Sequence, residues 1–203
     1  MKTRVITISR EFGSGGRLIA QRVATRLGWK IYDRNLIEKI AEKSGLAKEF
    51  IEEKGESAAA GQHLAYSVPA GFGSFLTGQS VFDKLYVMQY NIIKEIADEA
   101  PCVIVGRCAD YILRDRTDCF RVFVHADIDY RIKQVSDTYK ELYNVEAKDM
   151  RKFLEGLDKK RKLYYRYNTD RVWDDVRNYE LCLKSSSMSL DECATVIISC
   201  IES

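Results

Sequence analysis

Hydrophobic residues in this chain follow two patterns: short unbroken runs, and longer stretches in which they recur three and four apart. The runs Arg4-Val5-Ile6-Thr7-Ile8, Cys102-Val103-Ile104-Val105 and Phe120-Arg121-Val122-Phe123-Val124 lack strict alternation, as strands buried on both faces do. Lys30-Ile31-Tyr32 and the run from Tyr179 to Leu183 read as two more strands. Leu18, Ile19, Val23, Ala24 and Leu27 recur at helical spacing and stop at Gly28, a left-handed terminator. Leu36, Ile37, Ile40 and Ala41 mark a second helix that ends near Ser44-Gly45, followed by a more polar helical segment through Phe50 and Ile51. A long helix runs from Val81 through Leu85, Gln89, Ile92 and Ile96 and stops before Pro101. A helix from Asp127 to Tyr139 and another carrying Leu190, Cys193, Ala194, Ile197 and Ile201 complete the pattern. Strands separated by helices predict an α/β fold, a five-stranded parallel sheet with helices on both faces.

Two stretches break the rhythm. Residues 55–80 mix five glycines with alanines, serines, Pro69 and the aromatics Phe72 and Phe75, and residues 44–80 are therefore expected to form an inserted, substrate-covering element. Residues 149–177 interleave Arg151, Lys152, Lys159, Lys160, Arg161, Lys162, Arg166, Arg171 and Arg177 with Tyr164, Tyr165, Tyr167 and Trp173. Guanidinium forks grip phosphate oxygens and aromatic faces stack on bases, so this segment suits a nucleotide, although charge runs are also the ordinary solvated face of a helix.

At 203 residues the chain is long enough for one substantial core, and residues 1–203 are expected to form one domain. A net charge of +2 argues against a large nucleic-acid surface and for small-molecule partners. RNA binding through the basic, tyrosine-rich segment is the minor alternative. No apolar run is long enough to cross a bilayer and no signal-peptide core precedes the first strand, so a cytoplasmic location is expected. The six cysteines show no C-x-x-C spacing and fit buried, reduced thiols. A homo-oligomer is compatible with this reading.

The candidate chemistry sits where the first strand gives way to Ser9-Arg10-Glu11-Phe12-Gly13-Ser14-Gly15-Gly16-Arg17. Strand, glycine-rich turn and helix make a phosphate cradle, because glycines bring successive N–H groups close to an anion and the helix dipole points at the same place. A plain βα connection would look similar. The general pattern G-x-x-x-x-G-K-[ST] is not met: its first glycine, its lysine and its hydroxyl residue are here Arg10, Gly16 and Arg17.

Together with Val103-Ile104-Val105-Gly106-Arg107, Lys160-Arg161-x-x-Tyr164-Tyr165, Trp173 and Asn178-Tyr179, this run resembles the cytidylate-kinase-like family, a divergent branch of the P-loop nucleoside monophosphate kinases. The resemblance spans nearly the whole chain. It implies a P-loop fold with a mobile basic lid at residues 149–177, and a phosphoryl transfer from ATP or GTP to a nucleoside monophosphate, CMP-like, or a related small acceptor. Gly13, Ser14, Gly15 and Gly16 would wrap the triphosphate, with Arg17 or Arg10 replacing the lysine. Asp33, Arg34, Arg107 and Asp110 would meet the acceptor. Arg161 and Arg166 would close over the transferred group, supported by Asp158 and Lys159. The family's hydroxyl ligand to the metal falls at Leu18, and Val105 and Cys108 flank the Gly106-Arg107 pair where the family has acidic residues, so Mg²⁺ is expected to be held mostly by nucleotide phosphates and water, with Asp110 or Asp33 assisting from an outer shell. A catalytically silent nucleotide-binding protein on the same scaffold is the alternative.

Overall fold

A computed structural model describes residues 2–45, 81–143 and 149–202. In chain order its elements are β1 (Val5–Arg10), α1 (Gly16–Leu27), β2 (Lys30–Tyr32), α2 (Arg34–Ser44), α3 (Val81–Glu99), β3 (Cys102–Val105), α4 (Ala109–Ile112), β4 (Cys119–His125), α5 (Ile128–Tyr143), α6 (Met150–Thr169), a 3₁₀ turn (Val176–Asn178), β5 (Leu181–Lys184) and α7 (Leu190–Glu202). The five strands form one parallel sheet in the order β2-β3-β1-β4-β5. The first strand is therefore the central one, with Ile8 opposite Val105 on one side and Val122 on the other.

Burial on both faces explains why these strands carry continuous apolar runs. Ile6, Ile8, Val103, Val105, Val122 and Val124 pack against Ile19, Ala20 and Val23 of α1 and Cys193, Ala194 and Ile197 of α7. Val5, Tyr32, Cys102, Ile104 and Phe123 face the other way, onto Leu36 and Ile40 of α2, Leu85, Ile92, Ile93 and Ile96 of α3, and Tyr164 and Tyr165 of α6. Each such buried aliphatic side chain stabilises the fold by about 1.5–3 kcal/mol relative to exposure. The terminators read from the sequence hold: Gly28 and Gly45 close α1 and α2 at φ 67° and 68°.

The structure also revises several boundaries. β1 extends through Ser9 and Arg10, which pair with Phe123 and Val124, so the loop starts two residues later than the apolar run suggests. β5 begins at Leu181, because Val176–Asn178 form a 3₁₀ turn just before Tyr179. The basic segment is largely one 20-residue helix, α6, whose aromatics and basic residues part company. Tyr164, Tyr165 and Trp173 are buried, while Lys159, Lys160, Lys162, Arg166 and Arg171 face solvent. The helical segment expected through Phe50 and Ile51, and the insertion from residue 46 to residue 80, lie outside the described residues.

All six cysteines are free, and burial pushes the thiols of Cys102 and Cys119 up to about 12, which keeps them protonated. Among the described residues no helix is long and apolar enough to cross a membrane.

Candidate active site

The carboxyl end of β1 turns sharply through residues 11–15 before α1 begins. Gly13 and Gly15 take φ of 79° and 77°, a left-handed conformation that costs an L-residue about 1–2 kcal/mol. The turn is packed from behind, since a Cβ on Gly15 would lie 2.6 Å from Leu190 Cδ2 and one on Gly13 would lie 2.8 Å from Val135 Cγ2. Ser14 is fully buried, donates to the Glu11 carbonyl at 2.9 Å and has its own carbonyl held by Ser185 Oγ at 2.6 Å. The helix opens at Gly15 without a side-chain cap. Its first-turn N–H groups, which an α-helix leaves without internal acceptors, are thus the groups an anion would meet.

A charged clamp fixes this loop to α5 and α6. Arg131, 5% exposed, donates from Nε to the Phe12 carbonyl at 2.8 Å, forms an ion pair with Asp158, and lies 3.3 Å from Glu11 Oε2. Asp158 accepts from the Phe12 amide at 2.9 Å, and Glu11 accepts from the Ala126 amide at 3.1 Å. Arg161 donates to the Arg10 carbonyl at 3.1 Å, sits 3.6 Å from Asp158, and places its guanidinium 5.3 Å from the centre of the Phe12 ring. Asp158, expected as a support for a lid, is a buried keystone between helix and loop.

One strand over, the carboxyl end of β3 makes a different kind of turn. Gly106, Arg107 and Cys108 all have positive φ, 69°, 59° and 55°. Non-glycine residues held there cost on the order of 1–3 kcal/mol each and persist only where surroundings impose them. The Gly106 amide donates to the Ile8 carbonyl at 3.0 Å, the Ala109 amide to the Gly106 carbonyl at 3.1 Å, and Gln89 Nε2 to the Arg107 carbonyl at 2.8 Å. The result is an arginine that is 7% exposed and whose Nη1 is buried with no hydrogen-bond partner among the described residues. An unsatisfied buried donor of this kind costs about 1–3 kcal/mol, more when charged.

Arg107 lines a small cleft beside the loop, together with Arg10, Arg161, Ser9, Gly106 and Cys108. Tyr164, Tyr165 and Trp173 form its aromatic wall. The tyrosine hydroxyls are spent inside the protein: Tyr164 pairs with Gln89 at 3.0 Å and Tyr165 donates to Asp110 at 2.6 Å. Asp110 is buried behind that wall and also accepts from Ser9 at 3.3 Å. Burial pushes its carboxyl above the usual carboxylate range, against the pull of the Tyr165 and Ser9 hydrogen bonds. Among the described residues the cleft is lined by three arginines and by no Asp or Glu, a composition that suits an anion.

Not every expected residue joins this cleft. Arg17 forms an ion pair with Asp33, Nε lying 2.6 Å from Oδ2 without the alignment of a hydrogen bond, and neither residue lines the cleft. Arg34 opens α2. Arg166 is exposed, 3.6 Å from Asp170, and is also outside the cleft. The sequence reading missed Arg131 and Gln89. Arg131 had a signal: it is a charge set between Ile128, Ile132 and Val135 on the apolar stripe of α5, where only a partnered charge is tolerated. Among the described residues no group of three or more His, Cys, Asp or Glu could hold a metal ion.

The model of the cytidylate kinase-like family matches residues 5–187 of the chain. No curated protein matches it. Among solved structures, an uncharacterized protein from Eubacterium ventriosum is 27% identical and superposes with a TM-score of 0.72 over 98% of each chain. A shikimate kinase from Bacteroides thetaiotaomicron, 14% identical, gives a TM-score of 0.58 over 98% of each chain. Another from Acinetobacter baumannii, in complex with shikimate and 15% identical, gives 0.55 over 98% of this chain and 93% of that one. The fold is that of the shikimate kinase-type P-loop kinases.

Proposed function

This chain belongs to the cytidylate kinase-like family, and we propose that it is a nucleotide-dependent phosphotransferase whose acceptor is a nucleoside monophosphate, CMP-like, or a related small anion. The observation that carries this reading is Arg107, a strained, buried guanidinium with an unpartnered nitrogen in a cleft beside the glycine loop. Such a group is costly to keep in the free protein. Its cost is repaid when an acceptor anion enters.

In this reading Gly13, Gly15 and Gly16 hold the triphosphate of ATP or GTP through backbone N–H groups, with any divalent ion arriving on the nucleotide; the Ser14 amide, expected among these donors, instead donates to the Glu11 carbonyl at 3.3 Å and shapes the turn. Arg107 holds the acceptor anion, and Arg10 and Arg161 stand on the same cleft where negative charge develops during transfer. Phosphoryl transfer is catalysed chiefly by positioning and by such preplaced charge. The aromatic wall of Tyr164, Tyr165 and Trp173 keeps water from the cleft and holds the guanidiniums in a medium where each counts for more. Asp110, sealed behind Tyr165, acts as a structural acceptor and not as a reader of base or sugar. Arg17, Asp33 and Arg166 then act outside the described cleft.

A second reading has its own support: with Gly16 at the lysine position and Leu18 at the hydroxyl position, the scaffold would bind nucleotide without turnover. Purified protein assayed with ATP or GTP, Mg²⁺ and a panel of monophosphates separates the two. Turnover is expected, and Arg107→Met should lower kcat/KM for the acceptor by roughly 10- to 100-fold, the scale of one charge-assisted contact. Triphosphate binding with no turnover on any acceptor would favour the silent protein.

A further inference from the structure

Arg10 and Gly16 occupy each other's usual roles. The P-loop pattern places a glycine at position 10 and a lysine at position 16, and this chain has a cation at the first and a glycine at the second. The structure shows the two changes to be one. A Cβ built on Gly16 would lie 2.6 Å from Arg10 Cβ, 3.1 Å from Arg10 Cγ and 3.4 Å from Val124 Cβ, and no real Cβ approaches another that closely. With Arg10 in place, no side chain fits at position 16. With a lysine at position 16, the Arg10 stem would have to leave.

We infer that the cation over the triphosphate has moved across the loop, from the first turn of the helix to the last residue of the strand, and that Arg10 supplies it. The two stems would start only 2.6 Å apart, so a guanidinium on the longer arginine arm covers the region a lysine would reach. Its base is rigid: Arg10 pairs with Val124 in the sheet, its carbonyl accepts from Arg161 at 3.1 Å, and the next amide, Glu11, donates to the Val124 carbonyl at 3.0 Å. Arg10 lines the cleft with Arg107 and Arg161. The rival, Arg17, is engaged with Asp33 at 2.6 Å on the side of β2. A fork in place of an ammonium also offers two parallel donors to phosphate oxygens.

This inference rests on the nucleotide-binding reading above, and one titration separates them. Mant-ATP with Mg²⁺ is titrated into wild type, Arg10→Met, Arg10→Lys, Gly16→Lys, the double variant Arg10→Gly/Gly16→Lys, and Arg17→Met, with a thermal melt of each. Arg10→Met, which keeps the stem and removes the charge, should weaken binding about tenfold or more. Arg10→Lys should recover most of it. Gly16→Lys alone should bind poorly or melt early, and the double variant should bind within a few-fold of wild type, a non-additive rescue that only a shared site produces. Should Gly16→Lys fail to fold, the Arg10→Met and Arg10→Lys pair decides. Arg10→Met binding as tightly as wild type, or a loss confined to Arg17→Met, overturns the exchange and leaves the nucleotide reading standing. A folded wild type that binds no mant-ATP overturns both.

Discussion

Glu11 and Arg107 follow adjacent strands at one edge of the sheet and treat charge in opposite ways. Behind Glu11, every charge of the clamp meets another: Arg131 touches Glu11 and Asp158, and Asp158 touches Arg131, Arg161 and the Phe12 amide. At Arg107, three successive left-handed residues and a Gln89 hydrogen bond hold a guanidinium whose Nη1 has no acceptor among the described residues. The lesson is that buried charge serves two ends here. In the clamp it fixes the backbone of a loop, and in the cleft it is kept in reserve for a ligand.

The most forceful way to break this comparison is to remove one partner from each side. Asp158→Ala should cost about 3–5 kcal/mol in urea denaturation, because it removes a buried carboxylate paired with Arg131 and Arg161 and leaves the Phe12 amide without its acceptor. Arg107→Met should instead hold stability level or raise it by about 1 kcal/mol, since no protein partner is lost. Comparable losses for the two variants would show that Arg107 is structural after all.

Asp110 sharpens the picture with a smaller effect. Burial holds its carboxyl above the ordinary value of 3.8, so the fold favours the neutral acid. Its stabilising contribution is complete below that value and is lost as pH rises through the raised one. Asp110→Asn, which mimics the neutral form, should therefore match wild type within about 1 kcal/mol at acid pH and gain on it toward pH 7. A thermal melt series across pH checks this, and a relative loss for Asp110→Asn at neutral pH would mean the ionised carboxylate is what Tyr165 and Ser9 hold.

The smallest effect separates strain that serves a site from strain that merely ends a helix. Asp170 closes α6 at φ 57° and is exposed, with its amide bonded to the Arg166 carbonyl. Asp170→Gly should raise stability by about 0.5–1 kcal/mol and leave turnover unchanged. A drop in turnover would tie that helix end to the cleft.

Much of the fold was legible in the chain because doubly buried strands must be written as apolar runs, and because Gly28 and Gly45 stand where left-handed caps are needed. What escaped was written in long-range pairing. Ser9 and Arg10 look like loop but are paired into the sheet by β4. The helical nature of residues 150–169 was masked by their charges, which only folding sorts into an outer basic face and an inner aromatic one. Of the site, the glycine turn and Arg107 could be seen at strand ends, a place local sequence marks. The Arg131 to Asp158 clamp spans 27 residues, and Gln89 reaches Arg107 across 18. Neither leaves a local motif.

Leu190 seats its methyl group against Gly15, and Ser185 holds the neighbouring Ser14 carbonyl. The last strand and last helix of the chain thus form the back wall of a loop that lies within its first twenty residues. The Ser185 hydroxyl reaches the Ser14 carbonyl across 171 residues, so the nest holds its shape only while β5 and α7 stay packed behind it, and damage to that distant wall would be felt at the phosphate loop.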